Sequence, residues 1–237
     1  MKIGPEAQAA VPALVEALQD KEPGVRQDAA EALGQIGPKA QAAAPALVEA
    51  LKDKEWTVRE SAAWALGQIG PKAQAAVPAL VEALKDKEWT VRQSAAWALG
   101  QIGPKAEAAV PALAEALKDK NSVVRTNAAQ ALAQIGKPAV PALAGALKDK
   151  EPDVRRHAAE ALKKIGPEAQ AAVLALAKAL KDKETDIRLL AAVALGQMGL
   201  EAKGEGEAAL AEARRKDDVD AVRKAADEAL QKIEAAH

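Results

Sequence analysis

Apolar and polar positions follow one another along this chain with the period of amphipathic helices, and short polar breaks divide the pattern into helix pairs. A first helix is predicted over residues 72–85, where the apolar positions at helical spacing are Val77, Leu80, Val81 and Leu84. After the turn at residues 85–87, a second helix is predicted from near Glu88 to Gly103. The same pattern returns along most of the chain, so we expect an all-α fold built from helical hairpins.

Proline placement suggests where each first helix begins. Pro78 lies inside the predicted first helix, where it either kinks the helix or marks its true first turn. The equivalent stretch before Pro141 is three residues shorter, which favours the second option because about one turn there is dispensable. Leu174 stands where the other copies have Pro, and a straighter first helix is predicted there.

The helix pairs form an internal repeat. Residues 36–68 are followed by a near copy, residues 69–101, which differs only at Ala44/Val77 and Glu60/Gln93. Glycines at the repeat starts occupy positions 4, 37, 70, 103, 136, 166 and 199, mostly 33 residues apart. A fixed period of this length is typical of a solenoid, in which each unit buries its apolar face against its neighbours. We therefore predict a superhelical α-solenoid of about seven stacked antiparallel helix pairs.

The two ends of the array are expected to differ. Six repeats are predicted over residues 1–199, and residues 200–237 depart from the period and predict a capping helix pair. The last helix, predicted at about residues 219–235, is rich in Lys, Glu and Asp, as a cap facing water should be. At the other end no dedicated cap precedes Ile3.

Angular positions divide the second helix into two stripes. With Val58 set to zero and about 100° per residue, the core stripe is Ala62, Ala65, Leu66 and Ile69. The stripe centred more than 100° away contains Thr57, Glu60, Ser61, Trp64 and Gln68. Among the copies the core stripe hardly changes, whereas the distant stripe varies. That combination is expected of a scaffold that presents a binding surface.

The variable stripe supplies the predicted contact residues. All four aromatic side chains of the chain, which are tryptophans, lie on this stripe in two adjacent repeats. An exposed Trp cluster commonly marks a contact site, although the rings could equally pack on one another and on neighbouring repeats. The predicted partner-binding residues are Trp56, Glu60, Trp64, Trp89, Gln93, Trp97, Asn127, Gln130, Arg156 and His157.

Composition and charge narrow the possible partners. Lys plus Arg number 33 and Asp plus Glu 34, so the whole chain has no bias toward nucleic acid or an anionic membrane. No apolar stretch is long enough for a membrane span, and Met1 leads directly into the first repeat without a signal peptide. We expect a cytoplasmic protein. The absence of Cys excludes disulfides and thiolate chemistry.

The repeat sequence resembles a known family. LVEALKDKE, followed by VR, AA and ALGQIG, recurs in register from about Ile3 to Gly199. These units look like HEAT repeats of the short bacterial type found in phycobilisome-lyase-like proteins, and they are similar to artificial HEAT-like scaffolds. The resemblance implies that second helices line a concave, partner-binding side. It also implies a structural ladder of turn Asp and second-helix Arg residues, here Asp20/Arg26, Asp53/Arg59, Asp86/Arg92, Asp119/Arg125, Asp149/Arg155 and Asp182/Arg188.

Catalytic constellations are hard to find. The two histidines, His157 and His237, lack the further convergent ligands that a metal needs. Ser61 and Ser94 have no His base in their own or adjacent repeats. No Gly-rich phosphate loop is present, because the Ile-Gly-Pro units read as helix stops. We therefore expect no catalytic residue, no metal and no cofactor.

The sequence is compatible with three functional hypotheses. The favoured one is a non-catalytic scaffold for protein or peptide binding on the concave face. The second is a homodimer or larger assembly formed through the Trp stripe. The third is a subunit of a bilin-lyase-like enzyme, which would need a second chain. The near identity of adjacent repeats is compatible with recent duplication or with engineering from a consensus.

Overall fold

The computed structural model describes residues 6–235, and in this range every regular element is helical. The chain divides into two compact units, Met1–Ile135 and Gly136–His237. The first unit contains α1 (Glu6–Ala9), α2 (Val11–Ala17), α3 (Pro23–Ile36), α4 (Ala44–Ala50), α5 (Trp56–Ile69), α6 (Val77–Ala83), α7 (Trp89–Ile102), α8 (Val110–Ala116) and α9 (Ser122–Ile135). Its 3₁₀ segments are Gly37–Ala43, Gly70–Ala76 and Gly103–Ala109.

The second unit has the same alternation of short and long helices. It contains α10 (Val140–Ala146), α11 (Pro152–Ile165), α12 (Val173–Ala179), α13 (Thr185–Met198), α14 (Glu205–Lys216) and α15 (Asp220–Ala235). Its 3₁₀ segments are Lys137–Ala139, Gly166–Ala172 and Gly199–Ala202. The predicted all-α solenoid of repeated helix pairs is thus confirmed. The predicted boundary between repeats and cap at residue 200 stays a prediction.

The first helix of each pair begins later than its apolar pattern indicates. In the third repeat Gly70–Ala76 forms a 3₁₀ segment, and the α-helix occupies only Val77–Ala83, against the predicted 72–85. Gly70 has a φ of 69°, a conformation that favours glycine, and Ala73 has a ψ of 19° that interrupts regular helix. Pro78 lies in the first turn of the α-helix, where its missing N–H leaves no carbonyl unpaired. The option that Pro marks the true first turn is the one observed.

The repeat that has Leu174 in place of Pro does not have the predicted straighter first helix. The prediction of a straighter first helix at the position without Pro is wrong, because Gly166–Ala172 is still a 3₁₀ segment and α12 has the same seven-residue length as its counterparts. Ala169 carries the same break, with a ψ of 17°. Pro is therefore compatible with the bend but does not cause it. In this repeat as in the others, the bend occurs where a glycine precedes a 3₁₀ segment that contains buried alanines.

The core of each unit lies between successive second helices and the first helices beside them. In the first unit α3, α5, α7 and α9 pack in sequence, and in the second unit α11, α13 and α15 do the same. The predicted core stripe of α5, which runs from Val58 to Ile69, is fully buried. Small side chains allow this close stacking, since a Cβ on Gly67 would lie only 2.9 Å from the Cα of Ala98 in the next helix.

The final helix pair closes the second unit. Helix α15 begins one residue later than predicted and buries its apolar face, including Val222, Leu230 and Ile233. It contacts α13 so closely that a Cβ on Gly196 would lie 2.8 Å from the Cα of Ala229. The opposite face of α15 exposes Lys, Glu and Gln side chains to solvent. This arrangement covers the apolar face of α13.

Candidate functional site

The predicted Arg and Asp residues connect one repeat to the next in the first unit. Arg59 donates from Nε to Oδ2 of Asp86 at 2.6 Å and from Nη2 to Oδ1 of the same carboxylate at 2.8 Å. Arg26 binds Asp53, and Arg92 binds Asp119, with the same two-bond geometry. Each arginine thus pairs with the carboxylate of the following repeat, 27 residues later, rather than with that of its own turn.

Each arginine also fixes the turn of its own repeat. Nη1 of Arg59 donates to the carbonyl oxygens of Asp53 and Lys54 at 2.9 and 3.1 Å. The carboxylate of Asp53 accepts a hydrogen bond from the N–H of Glu55, just before α5 begins. One Arg and one Asp therefore position a turn, a helix start and the adjacent repeat together. The geometry is that of a structural junction.

The same junctions occur in the second unit. Arg155 binds Asp182 at 2.6 Å, and Arg188 binds both Asp217 and Asp218 at 2.8 and 2.9 Å. The divergent sequence of the final pair therefore still supplies a carboxylate at the required place.

The remaining predicted residues, Arg125 and Asp149, also bind their own turns. Arg125 donates to the carbonyl oxygen of Asp119, and the Asp149 carboxylate accepts a hydrogen bond from the N–H of Glu151.

Electrostatics agrees with the geometry of the junctions. The hydrogen bonds from Arg26 lower the pKa of the Asp53 carboxyl and outweigh the effect of its burial. Burial alone would raise the pKa of Asp86, but the hydrogen bonds from Arg59 and from the N–H of Glu88 leave it lowered. These carboxylates are held in the charged form, as structural ion pairs require.

The four tryptophans separate into two pairs. Trp64 is half-buried against the preceding repeat, where a Cβ on Gly34 would lie 2.3 Å from its Cζ3. Trp97 occupies the same position against Gly67. By contrast, Trp56 and Trp89 begin α5 and α7 and are each 42% exposed. Trp64 and Trp97 thus pack on neighbouring repeats, whereas Trp56 and Trp89 are exposed and stay predicted contact residues.

A pocket of about 260 Å³ opens beside Trp64 on the second helices of the first unit. It lies across α3, α5 and α7 and is lined by Glu31, Gln35, Glu60, Ser61, Trp64 and Ser94. Ser61 donates to Oε1 of Glu31 at 3.2 Å, and Gln27 donates to the same oxygen at 2.9 Å. We call this group of six residues the acidic pocket.

The Glu60 carboxyl of the acidic pocket is affected by its burial and by a neighbouring charge. The pKa of the Glu60 carboxyl is raised chiefly by burial, and the negative charge of Glu31 adds to this rise. Within residues 6–235, no Lys, Arg or His forms an ion pair with either carboxylate. The pocket is therefore short of positive charge.

The other predicted contact residues occupy varied environments. Gln93 is half-buried, and Gln130 is exposed. Asn127 donates to the carbonyl oxygen of Val123, one turn earlier in its own helix. In the second unit, Arg156 lies 3.4 Å from Asp153 in a surface ion pair.

His157 is not on the surface. It is only 3% exposed, and its Nδ1 lies 2.7 Å from the carbonyl oxygen of Asp153. Its counterpart Ser61 is also buried. This repeat position lies about 60° from Val58 on the helical wheel, near the edge of the core stripe, which is compatible with the burial of Ser61 and His157. The placement of His157 on an accessible stripe is thereby corrected.

Four members of the acidic pocket are absent from the predicted contact residues. Glu31, Ser61 and Ser94 occupy variable repeat positions, so the sequence contained a signal for them. Gln35 is the counterpart of Gln68 on the same stripe. Sequence comparison within the chain indicates such positions, but it does not show that three consecutive repeats contribute to one pocket.

In the stretch from residue 6 to residue 235, no helix is long and apolar enough to cross a bilayer. Nor does that stretch bring three or more His, Cys, Asp or Glu side chains together as a metal site would need. His237 lies outside the described residues.

Comparison with protein families gives one consistent match. The family described as HEAT repeats matches residues 3–67, 44–133, 77–163, 110–177 and 146–231. Among curated proteins, none matches the sequence.

Solved structures with a similar fold include engineered proteins. One engineered protein superposes with a TM-score of 0.61 at 26% identity, covering 94% of this chain and 68% of its own. A second engineered protein gives 0.53 at 26% identity, covering 95% and 96%. The CpcE and CpcF complex of phycocyanin lyase from Nostoc sp. PCC7120 gives 0.53 at 24% identity over 94% of each chain, which establishes likeness of fold alone.

Proposed function

Because the chain belongs to the HEAT-repeat family, we propose that it is a non-catalytic scaffold that binds a protein or peptide on the second helices of residues 6–135. The observation that carries this proposal is the exposure of Trp56 and Trp89, each 42% exposed at the start of a second helix. The equivalent helix starts elsewhere hold small, polar or proline residues, so the two rings form a local feature of α5 and α7.

Burial of these rings could supply substantial binding energy. A Trp side chain buries about 150–250 Å² when it is covered completely. With 42% of each residue accessible, only part of that area is gained on binding, which corresponds to roughly 1.5–2.5 kcal/mol per ring before the costs of association. Two such exposed rings on adjacent second helices resemble the aromatic anchors of protein interfaces.

A selection experiment tests the scaffold role. The purified chain would be used to select binders from a displayed library of random peptides, and each binder would be measured against the W56A/W89A variant. We expect at least tenfold weaker binding to the variant, because two anchors are lost. Leu174→Ala, which removes an exposed apolar side chain from α12, should leave binding unchanged. Equal affinity of the selected binders for wild type and W56A/W89A would contradict the proposal.

Self-association through the same rings is the second candidate, and the exposure of Trp56 and Trp89 favours it as well. Light scattering across a concentration series distinguishes the two. A dimer that dissociates in the W56A/W89A variant would identify the rings as a self-assembly surface. A monomer at all concentrations would leave them for a foreign partner.

A further inference from the structure

The two carboxylates of the acidic pocket have no basic side chain as an ion-pair partner within residues 6–235. Elsewhere in the first unit the carboxylates between repeats, such as Asp53 and Asp86, are each held by two hydrogen bonds from an arginine. Glu31 instead accepts hydrogen bonds from two neutral donors, Gln27 and Ser61. Glu60 is partly buried beside it. An added cation would offset both the cost of burying the Glu60 carboxylate and its repulsion by Glu31.

Comparison of adjacent repeats shows that the charge is specific to this place. Repeats two and three differ at only two positions, and one of them is Glu60, which is Gln93 in the next copy. One repeat further along, Trp64 occupies the position of Glu31. The equivalent surface on α5, α7 and α9 is therefore formed by neutral residues. The two carboxylates, rather than the repeat fold in general, distinguish the acidic pocket.

We propose that the acidic pocket binds the guanidinium group of an arginine side chain presented by the partner. A guanidinium is planar, can form paired hydrogen bonds with a carboxylate and stacks on aromatic rings. The pocket offers those features together, with Glu31 and Glu60 on neighbouring helices and Trp64 as a wall. The charge of the ligand complements that of the site. This inference rests on the proposed scaffold function and names the chemistry that its partner must carry.

A small probe tests the pocket directly. N-acetyl-L-arginine methylamide would be titrated into ¹⁵N-labelled protein while the four indole N–H signals of the tryptophans are followed by NMR. The signal of Trp64, assigned with the W64F variant, should shift saturably, and that of Trp97 should not. The neutral citrulline analogue, which keeps the shape but loses the charge, should bind at least tenfold more weakly.

Variants of the pocket separate charge from shape. In the E31Q/E60Q variant the arginine probe should bind at least tenfold more weakly. Glu82→Gln, which removes a carboxylate from the exposed face of α6, is the matched control and should bind as the wild type does. A Trp64 signal that responds equally to the arginine and citrulline probes, or equally in wild type and E31Q/E60Q, would overturn the proposal. So would a lysine analogue that binds as tightly as the arginine probe.

The two proposals fail in different ways. Peptides selected on the chain that lose affinity in W56A/W89A but contain no required arginine would leave the scaffold function intact and contradict the pocket assignment. Selected peptides whose arginine can be replaced by citrulline without loss would lead to the same conclusion. Binders that are insensitive to W56A/W89A would contradict the scaffold surface, whatever the arginine probe does at Trp64.

Discussion

Glu60 shows how one side chain can distinguish two nearly identical repeats. It is one of two differences between residues 36–68 and 69–101, and it is the one that changes charge. The sequence placed Glu60 on the variable stripe but contained no measure of its burial. Its raised pKa follows from burial and from Glu31, which lies 29 residues earlier and reaches the same pocket only after folding.

Substitution of Glu60 should change stability in a pH-dependent way. The pKa of Glu60 is higher in the folded than in the unfolded chain, so its ionisation opposes folding as pH rises through the folded pKa. We expect Glu60→Gln to raise the free energy of unfolding at pH 7 by less than about 1 kcal/mol, since the site is still screened by solvent. Below the unfolded pKa of about 4.3 this gain should vanish.

Urea unfolding at several pH values measures this effect. Glu107→Gln, a change at an exposed carboxylate in a 3₁₀ segment, serves as the control and should leave the pH dependence of stability close to that of the wild type. A Glu60→Gln variant whose stability follows the wild type at every pH would contradict the raised pKa of Glu60 in the folded chain.

Gly34 is required by the ring that covers it. A Cβ at this position would lie 2.3 Å from Cζ3 of Trp64 and 3.1 Å from the Cα of Ala65. Overpacking costs about 1–3 kcal/mol, whereas Ala is about 1 kcal/mol better than Gly inside a helix. For Gly34→Ala we therefore expect a net loss of up to about 2 kcal/mol in the free energy of unfolding.

A double-mutant cycle identifies the cause of this loss. Adding Trp64→Ala should remove part of the penalty of Gly34→Ala, but not the part due to the backbone of Ala65. Gly24→Ala, in the same helix but with open space around it, should be neutral or slightly stabilising. Additive effects of Gly34→Ala and Trp64→Ala would mean that the ring moves aside freely.

At the level of the element, apolar periodicity predicted the second helices within about a residue, as in Trp89–Ile102 against 88–103. It was less accurate for the first helices because the 3₁₀ segment before them shares their alanine-rich pattern. The glycine at the start of this segment was correctly identified as a helix stop. The persistence of the bend at Leu174 could not be predicted, since it goes with buried alanines rather than with Pro.

Leu174→Pro should be accepted because the backbone is already shaped as in the other repeats. Residue 174 lies in the first turn of α12, where Pro lies in the other copies. We expect a change between zero and a gain of about 1 kcal/mol in the free energy of unfolding. Ala177→Pro, deeper in the same helix, should instead cost about 3 kcal/mol or more. Thermal unfolding of both variants, followed by circular dichroism, checks the contrast, and equal destabilisation would contradict it.

The Arg–Asp junctions between repeats should contribute most to the free energy of unfolding above acidic pH. Asp86→Asn removes the partner of Arg59, for which we expect a loss of about 1–3 kcal/mol at pH 7. Because the folded pKa of Asp86 is lowered, this contribution is present above the unfolded pKa of about 3.9 and is lost as pH falls through the folded pKa. The two stability curves should therefore converge in acid.

Asp20 provides a matched control for that measurement. The Asp20 carboxylate accepts a hydrogen bond from the N–H of Glu22, as the Asp86 carboxylate does from Glu88. Within residues 6–235, however, the Asp20 carboxylate binds no arginine. Asp20→Asn should therefore cost less than Asp86→Asn in chemical unfolding at pH 7. A loss of the same size in both variants would assign the effect to the turn rather than to the connection between repeats.

At the scale of the whole molecule, the period of the sequence predicted the helix pairs and the family to which they belong. The resemblance also indicated the Arg and Asp positions. It did not specify that each Arg binds the Asp of the following repeat, because an offset of 27 residues becomes visible only when the pairs are stacked. The acidic pocket was missed for the same reason, since it is formed by three consecutive repeats.

The packing of tryptophan on glycine means that the repeats are not freely interchangeable modules. A repeat carrying Trp at the position of Trp64 needs a predecessor that has glycine opposite the ring, as repeats one and two have in Gly34 and Gly67. Repeat four has Ala133 at that place and repeat five has Lys163. When repeats of this array are shuffled, duplicated or grafted, a repeat that carries this Trp should therefore be placed only after one that has glycine at the facing position. The size of that one side chain restricts the order in which the repeats can stack.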